Sequence, residues 1–292
     1  MIDTWQDSDV AAFWKRLEIP GLFDIHVHFL PPRVQAKVWE QFDRGGPLIG
    51  REWPIRYRGS DAERVEQLRA LGVRRFSALS YAHRAGMAEF LNDWAFELAD
   101  RVPECLRSAT FFPEDGVGEY VEKRLAGGAE IFKVHVQVGA FDLRDPLLDP
   151  VWGLLAEAGT PVVVHAGSGP VATQHTGPEP MRAVLARHPR LTAVIAHMGS
   201  PEYLEFHALV EEFPRVHLDT TMIWTSFFED ASPYPRHLLP RLVHHADRVL
   251  LGTDFPNIPY PYAHQLEVIA GLGLGDAWLR RVCWENAAAL VD

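Results

Sequence analysis

Residues 161–200 read PVVVHAGSGPVATQHTGPEPMRAVLARHPRLTAVIAHMGS, and two short apolar runs bracket a helical pattern within them. Pro161 to His165 and Leu191 to His197 are rich in β-branched residues, and each ends in a histidine two residues before a glycine. Between them EPMRAVLARHP spaces its apolar residues three and four apart, as a helix facing a sheet requires. This is a strand–helix–strand unit, and such a crossover joins parallel strands. The alternation continues in both directions, with strand-like runs at Leu22 to Phe29, Val73 to Tyr81, Leu106 to Phe112, Ile131 to Val138, Val216 to Thr221 and Val249 to Asp254. The stretches DAERVEQLRAL, MAEFLNDWAFELADR, DGVGEYVEKRLAG, PLLDPVWGLLAEAG and PEYLEFHALVEEF carry the helical spacing between them. Gly72, Gly127, Gly159, Pro189 and Pro214 supply the stops. Eight such units predict a TIM-type (β/α)₈ barrel of the α/β class. The rival, an open doubly wound sheet, calls for a GxGxxG turn after the first strand, and none is present.

The 292 residues are expected to form one domain, since a barrel takes about 250. Two stretches depart from the alternation. AWLRRVCWENAAALV predicts a C-terminal helical tail. Residues 30–60, rich in Pro, Gly, Arg and aromatics, read as a long loop after the first strand. Leaving the end of a barrel strand where active sites lie, they are expected to be a lid or pocket wall.

Composition narrows the function classes. With 47% hydrophobic and 23% charged residues the chain can fill a core. No run approaches the ~20 apolar residues of a membrane span. A formal net charge of −11 argues against nucleic acid as a partner. The start MIDTWQDSDV shows no secretory signal. Two cysteines, Cys105 and Cys283, read as buried thiols of a reducing compartment. The expectation is a cytoplasmic protein acting on a small molecule.

Asp24-Ile-His-Val-His28 is the strongest local signal. Alternate strand residues share a face, so His26 and His28 point together while Ile25 and Val27 face the helices. His165, His197 and Asp254 (in LLGTDFP) each lie where an apolar strand yields to a turn. In a barrel these residues converge on its C-terminal mouth. Sequence-distant histidines and an aspartate then make one nitrogen/oxygen site for a divalent transition metal, with Zn²⁺ expected and Mn²⁺ or Fe²⁺ as alternatives.

The ordered set FDIHVHF, FKVHVQVG, VVVHAG, VIAHMGS, LLGTDFP and WENAAAL resembles the amidohydrolase superfamily. The branch is the "amidohydrolase 2" group that includes aminocarboxymuconate-semialdehyde and resorcylate decarboxylases. The resemblance runs from residue 23 to near residue 290. It implies His26, His28, His165 and Asp254 as the metal ligands and places His197 beside the reacting water or substrate. It also implies a choice at Lys133, which in some superfamily members is carbamylated and bridges two metals; otherwise Lys133 pairs with an acidic neighbour or binds an anionic substrate. His135, two residues nearer the strand end, is a pocket candidate, as are His83, Arg51 and Trp224. Arg56 and Arg58 share with Arg51 the reading of a substrate-carboxylate contact against a solvated loop face, and Trp53 shares with Trp224 that of an apolar pocket wall against core packing. Relatives in this branch often form dimers, so the resemblance implies a homodimer.

The chemistry expected first is hydrolysis of an amide, ester or lactone by metal-activated water. Asp254 serves as ligand and general base, and His197 polarises the carbonyl or stabilises the oxyanion. The rival is metal-dependent, non-oxidative decarboxylation of a small carboxylic acid. A barrel that only binds small molecules ranks third, because the HxH, His and Asp set is intact.

Overall fold

The computed structural model describes residues 5–291. The first four residues of the MIDTWQDSDV start, and Asp292, lie outside the described residues. Eight strands follow in order: β1 (Leu22–Asp24), β2 (Val73–Phe76), β3 (Ser108–Thr110), β4 (Ile131–His135), β5 (Val162–His165), β6 (Ala193–Ile195), β7 (Val216–Asp219) and β8 (Val249–Leu250). Every pairing is parallel and sequential, β1 with β2 and β3 through β8. Two seams close the ring. The Leu106 N–H donates to the Phe76 carbonyl (2.7 Å) and joins β2 to β3, while the Ile25 N–H donates to Leu251 (2.9 Å) and joins β1 to β8. The chain is an eight-stranded α/β barrel.

Inside the barrel the side chains stack in levels. Phe23, Ile25, Ile131, Val163, Val194 and Leu250 form an apolar floor, and Ala287, Ala288 and Leu290 of the C-terminal helix Asn286–Val291 plug it from below. The tail is pinned there by Asn286, whose side-chain amide donates to the carbonyls of Ala246 (2.7 Å) and Val249 (2.8 Å). This helix covers the lower end of the barrel, opposite the C-terminal mouth.

Strand parity carries the polar residues upward from this floor. Above Ile131 come Lys133 and His135; above Val163 comes His165; above Leu250 come Gly252 and Asp254. Register pairs His135 with His165, so their rings stack, with centroids 3.9 Å apart and planes 13° from parallel. At β1 the alternation fails. A bend at Ile25 follows the strand, and Ile25 joins the inner floor while Val27 joins the outer shell. The expectation that both face the helices is corrected for Ile25.

Residues 30–60 are also not the loop that their composition predicts. Pro32–Ile49 is a helix. Pro32 opens it where a missing N–H costs nothing, and it ends at Gly50 with φ 78°. Its apolar residues Val34, Val38 and Phe42 recur every four positions, a helical period that the surrounding Pro and Gly obscure. Indole N–H groups tie the insertion to the segment after β8: Trp39 donates to the Asn257 side chain (3.1 Å) and Trp53 to its carbonyl (2.6 Å). No helix among the described residues is long and apolar enough to cross a membrane, and both cysteines are free and buried.

Candidate metal centre

His26, His28 and Asp254 bring one ligand atom each to within 4.8 Å of one another, all three buried. The backbone sets this up at some cost. Asp254 sits at φ 73°. This is a left-handed conformation, uncommon outside glycine although aspartate enters it more readily than most residues. Its N–H donates to the His26 carbonyl (2.9 Å), which locks the strand end. Two positions earlier only glycine fits: a Cβ at residue 252 would stand 2.1 Å from Thr221 Oγ1 and 2.8 Å from His26 Cβ. Asp24 anchors the other side, accepting hydrogen bonds from Thr253 (2.6 Å) and Tyr262 (2.9 Å). Burial pushes its carboxyl up to about 7 against those bonds.

Hydrogen bonds then fix which ring nitrogen faces the centre. His26 Nδ1 lies 2.8 Å from Asp219 Oδ2, and His28 Nδ1 lies 2.9 Å from the Leu79 carbonyl. Carboxylates and carbonyls only accept, so both Nδ1 atoms carry the proton and both Nε2 lone pairs point inward. His28 Nε2 is 2.8 Å from Asp254 Oδ1, and His26 Nε2 is 3.5 Å from it. Burial alone would raise Asp254, yet its contact with His28, with His26 and His197 close by, holds its carboxyl well below the usual carboxylate range. Burial and the Lys133 charge lower His26 to about 3. Two acceptors as close as His28 Nε2 and Asp254 Oδ1 repel in a buried site unless a cation, a proton or a metal ion, lies between them. Lys133 Nζ already lies 3.1 Å from the His26 lone pair, with its ammonium pulled down to about 8 by burial. The donor set and this crowding of acceptors fit a divalent metal.

His165 stands outside the three-ligand group. Its Nε2 donates to the Gly169 carbonyl (2.9 Å) and its ring is held in the stack on His135. The structure therefore gathers three of the four expected ligands and commits the fourth elsewhere. His197 reaches the site by a route that parity would not give. Val194 and Ala196 face inward, so His197 should face out; left-handed backbone at His197 (φ 52°) and Met198 (φ 49°) turns it back. Its ring centroid lies 5.2 Å from that of His26 and 4.8 Å from that of His165. Its Nδ1 donates to the Thr221 carbonyl (3.1 Å), so the neutral ring offers Nε2 as an acceptor. Burial holds it below its ordinary value. In that state it presents an acceptor, not a donor, toward the centre.

Asp219 is central to the arrangement. Oδ2 orients His26, and Oδ1 accepts from the backbone N–H groups of His197 (2.8 Å) and Thr221 (3.1 Å). Burial opposes its charge, but His26, His197 and Lys133 outweigh it, so the carboxyl is held below the usual range. Lys133 faces the acids Asp219 and Asp254 as its partners.

A cavity of about 870 Å³ opens above these groups. His83, Arg51, Trp53 and His135 line it, together with Lys133 and Gln137. His83 is exposed at the mouth, and Arg51 lies with its guanidinium 3.6 Å from the Phe227 ring centre. Trp224 does not line the cavity. It is buried against Tyr234 (5.1 Å between centroids), and its expected place in the pocket is corrected to the core. Arg56 and Arg58 are exposed, Arg58 paired with Asp43. Sequence reading missed Tyr81, whose ring lies 4.9 Å from His135 and 5.9 Å from His28. It also missed the cavity face of the inserted helix. For that face the four-residue spacing of Val34, Val38 and Phe42 was the available signal.

Comparison with known proteins fits this geometry to a family. The family model described as Amidohydrolase matches residues 23–292. The chain belongs to the amidohydrolase family. Among solved structures, an uncharacterised TIM-barrel protein of Bordetella bronchiseptica superposes with a TM-score of 0.72 at 19% identity, over 92% of this chain and 98% of that one. The 5-carboxyvanillate decarboxylase of Sphingomonas paucimobilis gives 0.64 at 16% identity, over 94% and 99%. A probable 2-pyrone-4,6-dicarboxylic acid hydrolase of Acinetobacter baumannii, with citric acid bound, gives 0.62 at 13%, over 93% and 99%. These likenesses establish a shared barrel fold. A comparison with curated proteins found no match.

Proposed function

We propose that this amidohydrolase is a metal-dependent hydrolase that uses activated water on a small-molecule amide, ester or lactone. The observation that carries the proposal is the pair of facing acceptors, His28 Nε2 and Asp254 Oδ1 at 2.8 Å, with the His26 lone pair beside them. His26, His28 and Asp254 hold the ion, Zn²⁺ in this reading, and His165 adds a fourth group once its Nε2 leaves Gly169. A divalent ion held there supplies Lewis acidity and brings the pKa of a water toward about 7. The Asp254 carboxylate, kept ionised, takes the proton of the attacking water and returns it to the leaving group. His197 accepts a hydrogen bond at Nε2 and so orients that water. Lys133 offers positive charge to the oxygen that becomes negative.

Decarboxylation is kept as a second reading on one observation. Lys37, Arg51 and Lys133 line the cavity, whereas Asp254 is the one acid among its described lining residues. That balance favours an anionic substrate, and the Sphingomonas structure is of a decarboxylase. Two buried free thiols support a cytoplasmic setting, and the family resemblance supports a homodimer. The test is elemental analysis of the purified protein, followed by an assay of esters, lactones and amides against hydroxybenzoates. About one divalent ion per chain, lost when His26 and His28 are replaced, with water incorporated into product, is expected. Release of CO₂ without water incorporation overturns hydrolysis in favour of decarboxylation, and metal-free protein of full activity overturns both.

A further inference from the structure

The cavity holds far more apolar wall than the chemistry at its base requires. The inserted helix Pro32–Ile49 lays Val34, Val38 and Phe42 along one side, one residue per turn. Beyond Phe42 the wall continues into Trp53, with ring centroids 5.1 Å apart, and Trp53 meets Phe227 at 4.8 Å. Val34, Val38 and Trp53 are only partly buried although they pack on the core, and Phe42 is half-buried too. Their remaining surface faces the cavity, where water against it is unfavourable. The volume is about 870 Å³. That is well beyond one small ring, for which roughly 150 Å³ suffices. It lies toward the upper end of ordinary ligand pockets, roughly 300–1,000 Å³. The same cavity reaches His26, His28 and Asp254 at its floor. A barrel needs no such insertion to close, and the indole bonds to Asn257 fasten it over the mouth.

We infer that the substrate carries a large apolar body, such as a medium-length acyl chain or a fused-ring unit. That body lies along Val34, Val38, Phe42 and Trp53 while its reacting carbonyl sits at the His26–His28–Asp254 end. The inference rests on the proposed reaction only for which end reacts. The apolar body is the main source of binding energy and sets specificity by length.

The test uses the metal-loaded full chain and two matched series, straight-chain carboxylic acids from four to twelve carbons for calorimetric binding and their p-nitrophenyl esters for turnover. Burial of each methylene along the helix is expected to tighten binding about threefold to fourfold, continuing past eight carbons. Val38→Trp, placed mid-wall, is expected to end that rise at a shorter chain. Val34→Phe, a smaller change, does the same to a lesser degree if the larger variant does not fold. Affinity independent of chain length in the wild-type protein overturns the inference, as does a rise that runs equally far in a folded Val38→Trp variant. A steep binding series with no ester turnover leaves the apolar site standing and removes the hydrolase reading alone. Turnover of acetyl esters with a flat series does the reverse.

Discussion

Replacing Asp219 by asparagine changes almost no volume but inverts one hydrogen bond. In the wild-type protein Oδ1 accepts two backbone N–H groups, from His197 at 2.8 Å and Thr221 at 3.1 Å, and Oδ2 accepts the His26 Nδ1 proton at 2.8 Å. The asparagine must turn its carbonyl toward the two backbone donors, because leaving them unsatisfied in a buried site costs about 1–3 kcal/mol each. Its NH₂ then faces His26. Two donors cannot share that contact, so His26 moves its proton to Nε2 and loses the inward lone pair. Loss of an orienting partner of this kind costs about 10- to 100-fold in metal affinity, equivalent to about 1.4–2.7 kcal/mol. The assay is competition between the protein and a chromogenic chelator for Zn²⁺, run beside a thermal melt. The expected result is weakened metal binding in Asp219→Asn with a melting temperature close to wild type. Asp219→Ala should lose both, since its two backbone donors are stranded. Metal affinity in Asp219→Asn within a factor of two or three of wild type would refute the argument that Asp219 sets the tautomer of His26.

Two further outcomes follow from the same structure. Gly252→Ala places a Cβ 2.1 Å from Thr221 Oγ1 and 2.8 Å from His26 Cβ. It should destabilise the protein by about 1–3 kcal/mol and lower metal content, and a variant as stable and as fully loaded as wild type would contradict the close approach. The second concerns pH. Burial brings His207 and His217 down to about 4, below an unfolded value of about 6.5. The unfolded chain therefore binds more protons between those values, and the stability of the neutral form, complete above about pH 6.5, is lost as pH falls toward 4. Each histidine contributes at most about 3 kcal/mol to that loss. Urea unfolding from pH 7 to pH 4.5 should show it, and a His207→Gln variant whose stability falls as steeply as wild type would remove His207 from the account.

The sequence by itself determined the architecture and most of the chemistry. Alternating apolar runs and helical spacings imply parallel strands, and eight of them close, because period and length are local properties. Histidines and an aspartate at strand ends were legible for the same reason, since a polar residue ending a buried apolar run stands out. What remained hidden depended on contacts between residues far apart in the chain. No pattern shows that Asp219 orients His26, because 193 positions separate them and the seam that joins them forms only on closure. The left-handed turn that brings His197 back into the mouth, and the bend at Ile25 after which His26 and His28 face the site, are backbone departures from alternation that parity cannot reveal. The Pro- and Gly-rich flanks hid the helix Pro32–Ile49, and only packing places Trp224 in the core rather than the pocket. The tertiary structure also decided that His165 spends its Nε2 on Gly169, while His26, His28 and Asp254 meet. A ligand set is a matter of which lone pairs point at one spot, and only the folded backbone fixes their direction.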